Sequence, residues 1–161
     1  MNDHFKIRNA NPNDIHVILQ LIQEIAVYEK LSHEVVATEE ILRESLFGEN
    51  KSAEVVLGEC EDRIVGYAIF FHNFSTFLGI KGLYLEDLFV RPEFRGRGFG
   101  KALLLHLVQI AKDRKCGRME WSVLDWNTPA IEFYKSLGAK PMDGWTVYRL
   151  NEAAIENLVK E

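Results

Sequence analysis

The chain has 161 residues, 47% of them hydrophobic and 27% charged, which is enough for one core and too little for two comfortable domains, so a single domain over 1–161 is expected. Its net charge of -5 argues against duplex nucleic acid as a partner and favours a cationic one. Two cysteines, Cys60 and Cys116, stand far apart with no histidine at metal-ligand spacing, which predicts reduced thiols in a cytoplasmic protein and no metal site.

The first residues carry His4, Lys6 and Arg8 with no apolar run behind them, and nowhere is there a long uncharged apolar stretch, so neither export nor a membrane span is expected. A short strand is predicted over 5–8. Asn11-Pro12 then supplies a cap and a first-turn proline for a helix running to about residue 30, whose Ile15, Ile18, Leu19, Ile22 and Ile25 recur at helical spacing. Thr38 caps a second helix, with an Ile41, Leu42, Leu46 stripe, that ends before Gly48. Two β-rich runs, 54–60 and 64–71, are joined by Glu61-Asp62-Arg63 as a hairpin. A third run over 83–90 enters a glycine-rich turn and then a helix over about 99–114, with Leu103, Leu104, Leu107, Val108 and Ala111 on one face. A strand over 119–124, a helix opened by Thr128-Pro129 and closed by Gly138, a late strand over 145–150 and a helix from Asn151 complete an α/β order.

The turn carries the chemistry. Gly96, Gly98 and Gly100 lack a Cβ, so the chain can take positive φ there and a phosphate can approach the main chain. The free amides of the following first helical turn, with the positive end of the helix dipole behind them, favour a dianion, and Arg95, Arg97 and Lys101 add mobile positive charge. Spacing narrows the coenzyme. Counted from Gly96, a dinucleotide fingerprint would put its last glycine at Lys101; a Walker A loop would need glycine where Arg95 stands and Ser or Thr where Ala102 stands. The run Arg95-Gly96-Arg97-Gly98-Phe99-Gly100 instead resembles the acetyl-CoA loop of the GNAT superfamily of N-acetyltransferases.

Three further segments extend that resemblance over nearly the whole chain. Residues 83–90, LYLEDLFV, and 125–134, with Trp126-Asn127-Thr128-Pro129 leading to Phe133-Tyr134, are similar to segments of the polyamine (spermidine/spermine) N-acetyltransferases and their thialysine-acetylating relatives, as is the first-helix end Glu24-Ile25-Ala26-Val27-Tyr28-Glu29. The resemblance implies the GNAT fold, an α/β domain with a mixed, mostly antiparallel sheet of six to seven strands. It also implies acetyl-CoA as cosubstrate, a small amine substrate and a homodimer; the apolar segment 70–78, with Phe71, Phe74 and Phe77, offers the oligomer surface.

An alkylammonium cannot attack a thioester until it loses a proton, so a base is needed. The resemblance assigns that role to Glu86, which sits in an apolar strand where burial would raise its pKa. Asp87, its neighbour, is expected on the opposite face unless a bulge intervenes. Without the resemblance, both carboxylates also read as buried groups paired with Arg or capping a helix. Tyr134 is implied as proton donor to the departing thiolate, although a Phe-Tyr pair on an amphipathic helix by itself reads as core. The backbone of Leu88, Phe89 and Val90 is implied to hold the pantetheine amides and polarise the carbonyl, and Asn127 and Ala130 to contact the coenzyme chain; an asparagine before a threonine is also ordinary turn chemistry.

Tyr28, Glu29, Glu86, Asp87 and Asp143 are the substrate candidates, Glu29 reading equally as a solvated helix end. Only one acid, Asp143, precedes Gly144-Trp145, where the polyamine enzymes carry adjacent acids. A small di- or polyamine is the first expectation, acetylated by direct attack. A thialysine- or lysine-like amino acid, a protein lysine, and a non-catalytic acetyl-CoA-binding module are the alternatives.

Overall fold

The computed structural model describes residues 4–160; residues 1–3, part of the amino-terminal stretch read above, lie outside them, as does residue 161. The chain forms two compact units, one running through Ser122 and one starting at Val123.

In the first unit the elements are β1 (Phe5–Asn9), α1 (Ile15–Tyr28), α2 (Glu39–Phe47), β2 (Glu54–Cys60), β3 (Arg63–Ser75), β4 (Ile80–Val90), α3 (Phe99–Asp113) and β5 (Met119–Trp121). The strands form one sheet in the order β1-β2-β3-β4-β5, antiparallel except for the parallel β4–β5 pair. The β2–β3 connection is tight because Glu61 and Asp62 both take positive φ, 51° and 60°, the backbone of a two-residue hairpin turn.

Helix starts follow local chemistry. The Asn11 side chain accepts from the amide of Asn13, while the Asp14 carboxylate accepts from the amide of Asn11 at 2.8 Å and is gripped by Arg8 through two 2.8 Å bonds. Thr38 Oγ1 accepts from the amide of Ile41 at 3.2 Å and opens α2. One sheet face is then covered by α1 and α2, with Ile18, Leu21 and Leu46 packed on Val55, Leu57, Tyr67, Ile69 and Phe89. The alternating residues Gly58, Gly66 and Val90 belong to the other face, where Leu103 and Gly100 of α3 approach and the Phe99 ring stacks on Phe5 at 4.1 Å.

The second unit contains α4 (Thr128–Ser136) and α5 (Glu152–Val159). Gly138, with φ of 86°, terminates α4 through its amide to Lys135 O at 2.9 Å, and Asn151 caps α5 by accepting from the amide of Ala154.

Among the described residues the sheet has five strands, not six to seven. The strand expected over 119–124 shortens to β5 because its ladder with β4 stops at the Leu85–Trp121 pair, immediately before an irregularity in β4. The strand expected over 145–150 has no ladder partner among the described residues: Trp145 and Val147 are 76% and 81% exposed, and β-propensity without a partner strand makes no sheet. No helix of the described residues is long and apolar enough to cross a membrane.

Candidate active site

The coenzyme loop lies between β4 and α3. Gly98 is the N-cap residue of α3 with φ of 84°, and Gly96 has φ of 75°; a Cβ at either would meet nothing within 4 Å. Gly100 departs from the expectation, because it already lies in the first turn of α3, where its role is compactness beside Val90. No side chain caps α3 and its first turn holds no acid; the helical ladder starts with the amide of Ala102 bonded to Gly98 O at 3.0 Å. The amides ahead of it, with the exposed Lys101, thus stand at a helix N-terminus beside open space.

The arginines are anchored rather than mobile. Arg95 donates from Nε to Val90 O at 2.8 Å and lies over the Tyr28 ring at 4.6 Å and the Phe89 ring at 5.4 Å. Arg97 lies over Phe99 at 5.0 Å and Phe94 at 5.6 Å. Both guanidiniums are therefore pre-positioned by aromatic faces, which lowers the ordering cost of meeting an anion. Open space, uncapped amides and fixed cations together fit a diphosphate-bearing coenzyme.

One residue of β4 changes the site. In the β3–β4 ladder Ile69 pairs with Asp87 and Phe70 with Leu85, so Glu86 is the extra residue of a β-bulge. Leu85 then lies on the same face as Phe70, whose ring sits 5.6 Å from the Arg114 guanidinium, while Asp87 turns to the face of Tyr67, Ile69 and Phe89. The bulge lifts Glu86 out of the ladder and leaves it exposed, which corrects the expectation of a buried base. Its neighbour Asp87 is half-buried and accepts a 2.8 Å hydrogen bond from the phenol of Tyr67. Its pKa is raised because burial outweighs the lowering effect of that bond.

Glu29, at the C-terminal end of α1, is half-buried rather than a plain solvated helix end, and burial together with the charge of Asp87 raises its pKa. Glu24, one turn earlier, accepts from Arg91 Nη2 at 2.8 Å and Nε at 3.0 Å; Arg91 also donates to Ile64 O. Tyr67 and Arg91 were not singled out in the sequence. The available signal was one phenol in the apolar run 64–71, and nothing in the run says which carboxylate it would meet.

Past Leu85 no strand pairs with the β5-side edge of β4 among the described residues, so the backbone of Leu88, Phe89 and Val90 borders a free edge there. In the second unit Asn127 itself occupies the N-cap position of α4, without a side-chain capping bond, and its carbonyl accepts from Ile131 at 3.0 Å. Ala130 and Tyr134 are half-buried on α4, the Tyr134 ring 5.4 Å from Phe133, and Asp143 is exposed. Cys60 is buried, Cys116 half-buried, and neither is bridged.

The sequence pattern of the Acetyltransferase (GNAT) family matches residues 16–139, which include the loop, the bulged strand and α4. The chain belongs to the GNAT acetyltransferase family. As a GNAT acetyltransferase it is an acyltransferase enzyme, and members of the family use acetyl-CoA as cosubstrate. It is 38% identical to the thialysine N-epsilon-acetyltransferase of Bos taurus over 94% of this chain and 95% of that one. It is 32% identical to an L-ornithine N5-acetyltransferase of Arabidopsis thaliana over 96% and 88%. Among solved structures, an integron cassette protein from the mobile metagenome of V.cholerae superposes with a TM-score of 0.81 at 27% identity, covering 98% of both chains. The ribosomal-protein-alanine N-acetyltransferase of Brucella melitensis, at 19% identity and a TM-score of 0.71, covering 91% of this chain and 98% of that one, shares the fold.

Proposed function

We propose that this enzyme acetylates the terminal primary amine of a small di- or polyamine, or of an amino acid of comparable shape, by direct attack with amine and acetyl-CoA both bound. The observation that carries the reading is the β4 bulge, which sets an exposed carboxylate, Glu86, next to a half-buried one, Asp87, shortly before the anion-binding loop. The amides opening α3, Gly96, Gly98, Arg95, Arg97 and Lys101 hold the diphosphate, and the free edge at Leu88, Phe89 and Val90 receives the pantetheine. Asn127 and Ala130 contact the same chain. Acetyl-CoA supplies the acetyl group as a thioester.

Glu86 takes the proton from the ammonium, directly or through one water, so that the nitrogen lone pair can form the N–C bond as the C–S bond breaks. The Tyr134 phenol gives its proton to the departing sulfur, and the second proton that nitrogen loses as the amide forms restores the phenol through solvent. Asp87 and Glu29 meet positive charge on the substrate, with Tyr28 beside them, and Asp143 is a further acidic contact. Matching a cation to half-buried carboxylates offsets their desolvation, which gives selectivity for amines that carry positive charge.

The curated relatives act on thialysine and ornithine, which favours short amino acids bearing a terminal amine as the second reading. The match over 16–139 begins in one compact unit and ends in the other, supporting one acetyltransferase domain over 1–161. The unbridged thiols and negative charge support a cytoplasmic enzyme that binds neither nucleic acid nor membrane. Exposed Phe74 and Phe77 at the β3–β4 turn support a homodimer, whereas Phe71 of the same segment packs on Tyr84 at 5.1 Å. A panel of putrescine, spermidine, ornithine, lysine and thialysine, assayed with acetyl-CoA for thiol release, is expected to give turnover on at least one. Background rates on all of them, with turnover on a lysine peptide, would reject the reading.

A further inference from the structure

Tyr67 is 0% exposed in the middle of β3, the only hydroxyl in the core cluster beneath α1 and α2 among the described residues. Packing needs only its ring. In the ladder Tyr67 pairs with Phe89 and Ile69 with Asp87, so phenol and carboxylate are diagonal neighbours on one sheet face, and the Tyr67 hydroxyl donates to Asp87 Oδ2 at 2.8 Å. Resting on the reading of Asp87 as an amine contact, we infer that Tyr67 is a positioning residue: its phenol fixes the rotamer of the Asp87 carboxylate so that it faces the substrate ammonium.

The surroundings give that hydroxyl its weight. Glu24 of α1 and Glu29 at its C-terminal end act on the Tyr67 phenol, and Arg91 and Arg95 follow β4. Arg91 is spent on Glu24 and Ile64 O, and Arg95 on Val90 O and the Tyr28 and Phe89 rings. Neither guanidinium is paired with Asp87, and the negative charge of Asp87 acts on Glu29 unfavourably. Burial pushes the Asp87 carboxyl up, and the Tyr67 bond is the effect that pulls it down. A bond to a charged acceptor is shorter and stronger than a neutral one, so this phenol favours the anion of a half-buried carboxyl that burial disfavours.

Tyr67→Phe keeps the ring and deletes the donor. With the amine that the wild type turns over best, the amine KM is expected to rise on the order of tenfold, kcat at saturation to stay within about twofold, and the acid limb of kcat/KM to move up by about one pH unit. In the resting protein, the ¹³C carboxyl titration of Asp87, assigned with Asp87→Asn, is expected to move up by a similar amount, with the melting temperature recorded on both proteins. In the Asp87→Asn background Tyr67→Phe is expected to leave KM unchanged. An Asp87 titration identical in wild type and Tyr67→Phe, a loss carried by kcat with KM unchanged, or an undiminished KM effect without Asp87 would overturn the inference. A wild type inactive on every small amine would sink the substrate reading alone, since the carboxyl titration tests the Tyr67–Asp87 link without turnover.

Discussion

Asp14 accepts both guanidinium nitrogens of Arg8 and the amide of Asn11, so its carboxyl is held below the usual range, by the Arg8 hydrogen bonds first and against the cost of burial. A depressed folded pKa places the stabilisation above the unfolded carboxylate value and removes it as pH falls through the folded one. Asp14→Asn is expected to lower unfolding free energy by about 1–2 kcal/mol at neutral pH, a figure discounted for the partly exposed Arg8, with the gap to wild type closing as pH falls below about 4. Denaturant titrations showing the same gap at pH 7 and pH 2 would contradict this. Single residues differ in how much of this the sequence discloses. The positive φ of Gly96 and Gly98 follows from glycine spacing at a strand-to-helix turn, and the Asn11-Pro12 start from cap chemistry. The anchoring of Arg95 does not, because Tyr28 lies far away along the chain and meets it only after α1 packs on the sheet.

At the scale of elements, β4 was legible as a strand and its bulge was not. The apolar run shows in one segment of sequence, whereas a bulge is a register difference between two strands, here Ile69–Asp87 against Phe70–Leu85. That one slip leaves Glu86 exposed where burial was expected, and turns a half-buried Asp87 to the face of Tyr67. It gives separable consequences. Glu86→Gln is expected to lower kcat/KM by roughly a hundredfold or more, the usual range for losing a general base, while leaving coenzyme affinity within about twofold. Asp87 is the reverse case for stability: a carboxyl raised by burial costs the fold stability as pH climbs from the unfolded carboxylate value through the raised folded one. Asp87→Asn is therefore expected to melt at neutral pH no lower than wild type while its amine KM rises about tenfold. A clear fall in melting temperature would mean the anion is a structural requirement of the sheet.

Over the whole molecule, the net charge of -5 and the acidic cluster under α1 give a cationic substrate a field to follow. The kcat/KM for a dication is expected to fall several-fold between about 10 and 150 mM salt, with a neutral-amine analogue nearly flat; equal slopes would argue against steering. The helix and strand order through α3 was readable from periodicity, since each of those elements buries its own apolar face. The segment 145–150 forms no strand among the described residues for the opposite reason: alternation at Trp145 and Val147 states a preference for a partner strand without supplying one. Coenzyme binding rests on the loop before α3, where Gly98 has open space above its Cα and uncapped amides beside it. Calorimetric titration with coenzyme A tests it most directly. One coenzyme is expected to bind per chain, with affinity falling on the order of tenfold in Gly98→Ala, whose methyl group stands where the diphosphate must approach. No binding heat with the wild type, or unchanged affinity in Gly98→Ala, would contradict it.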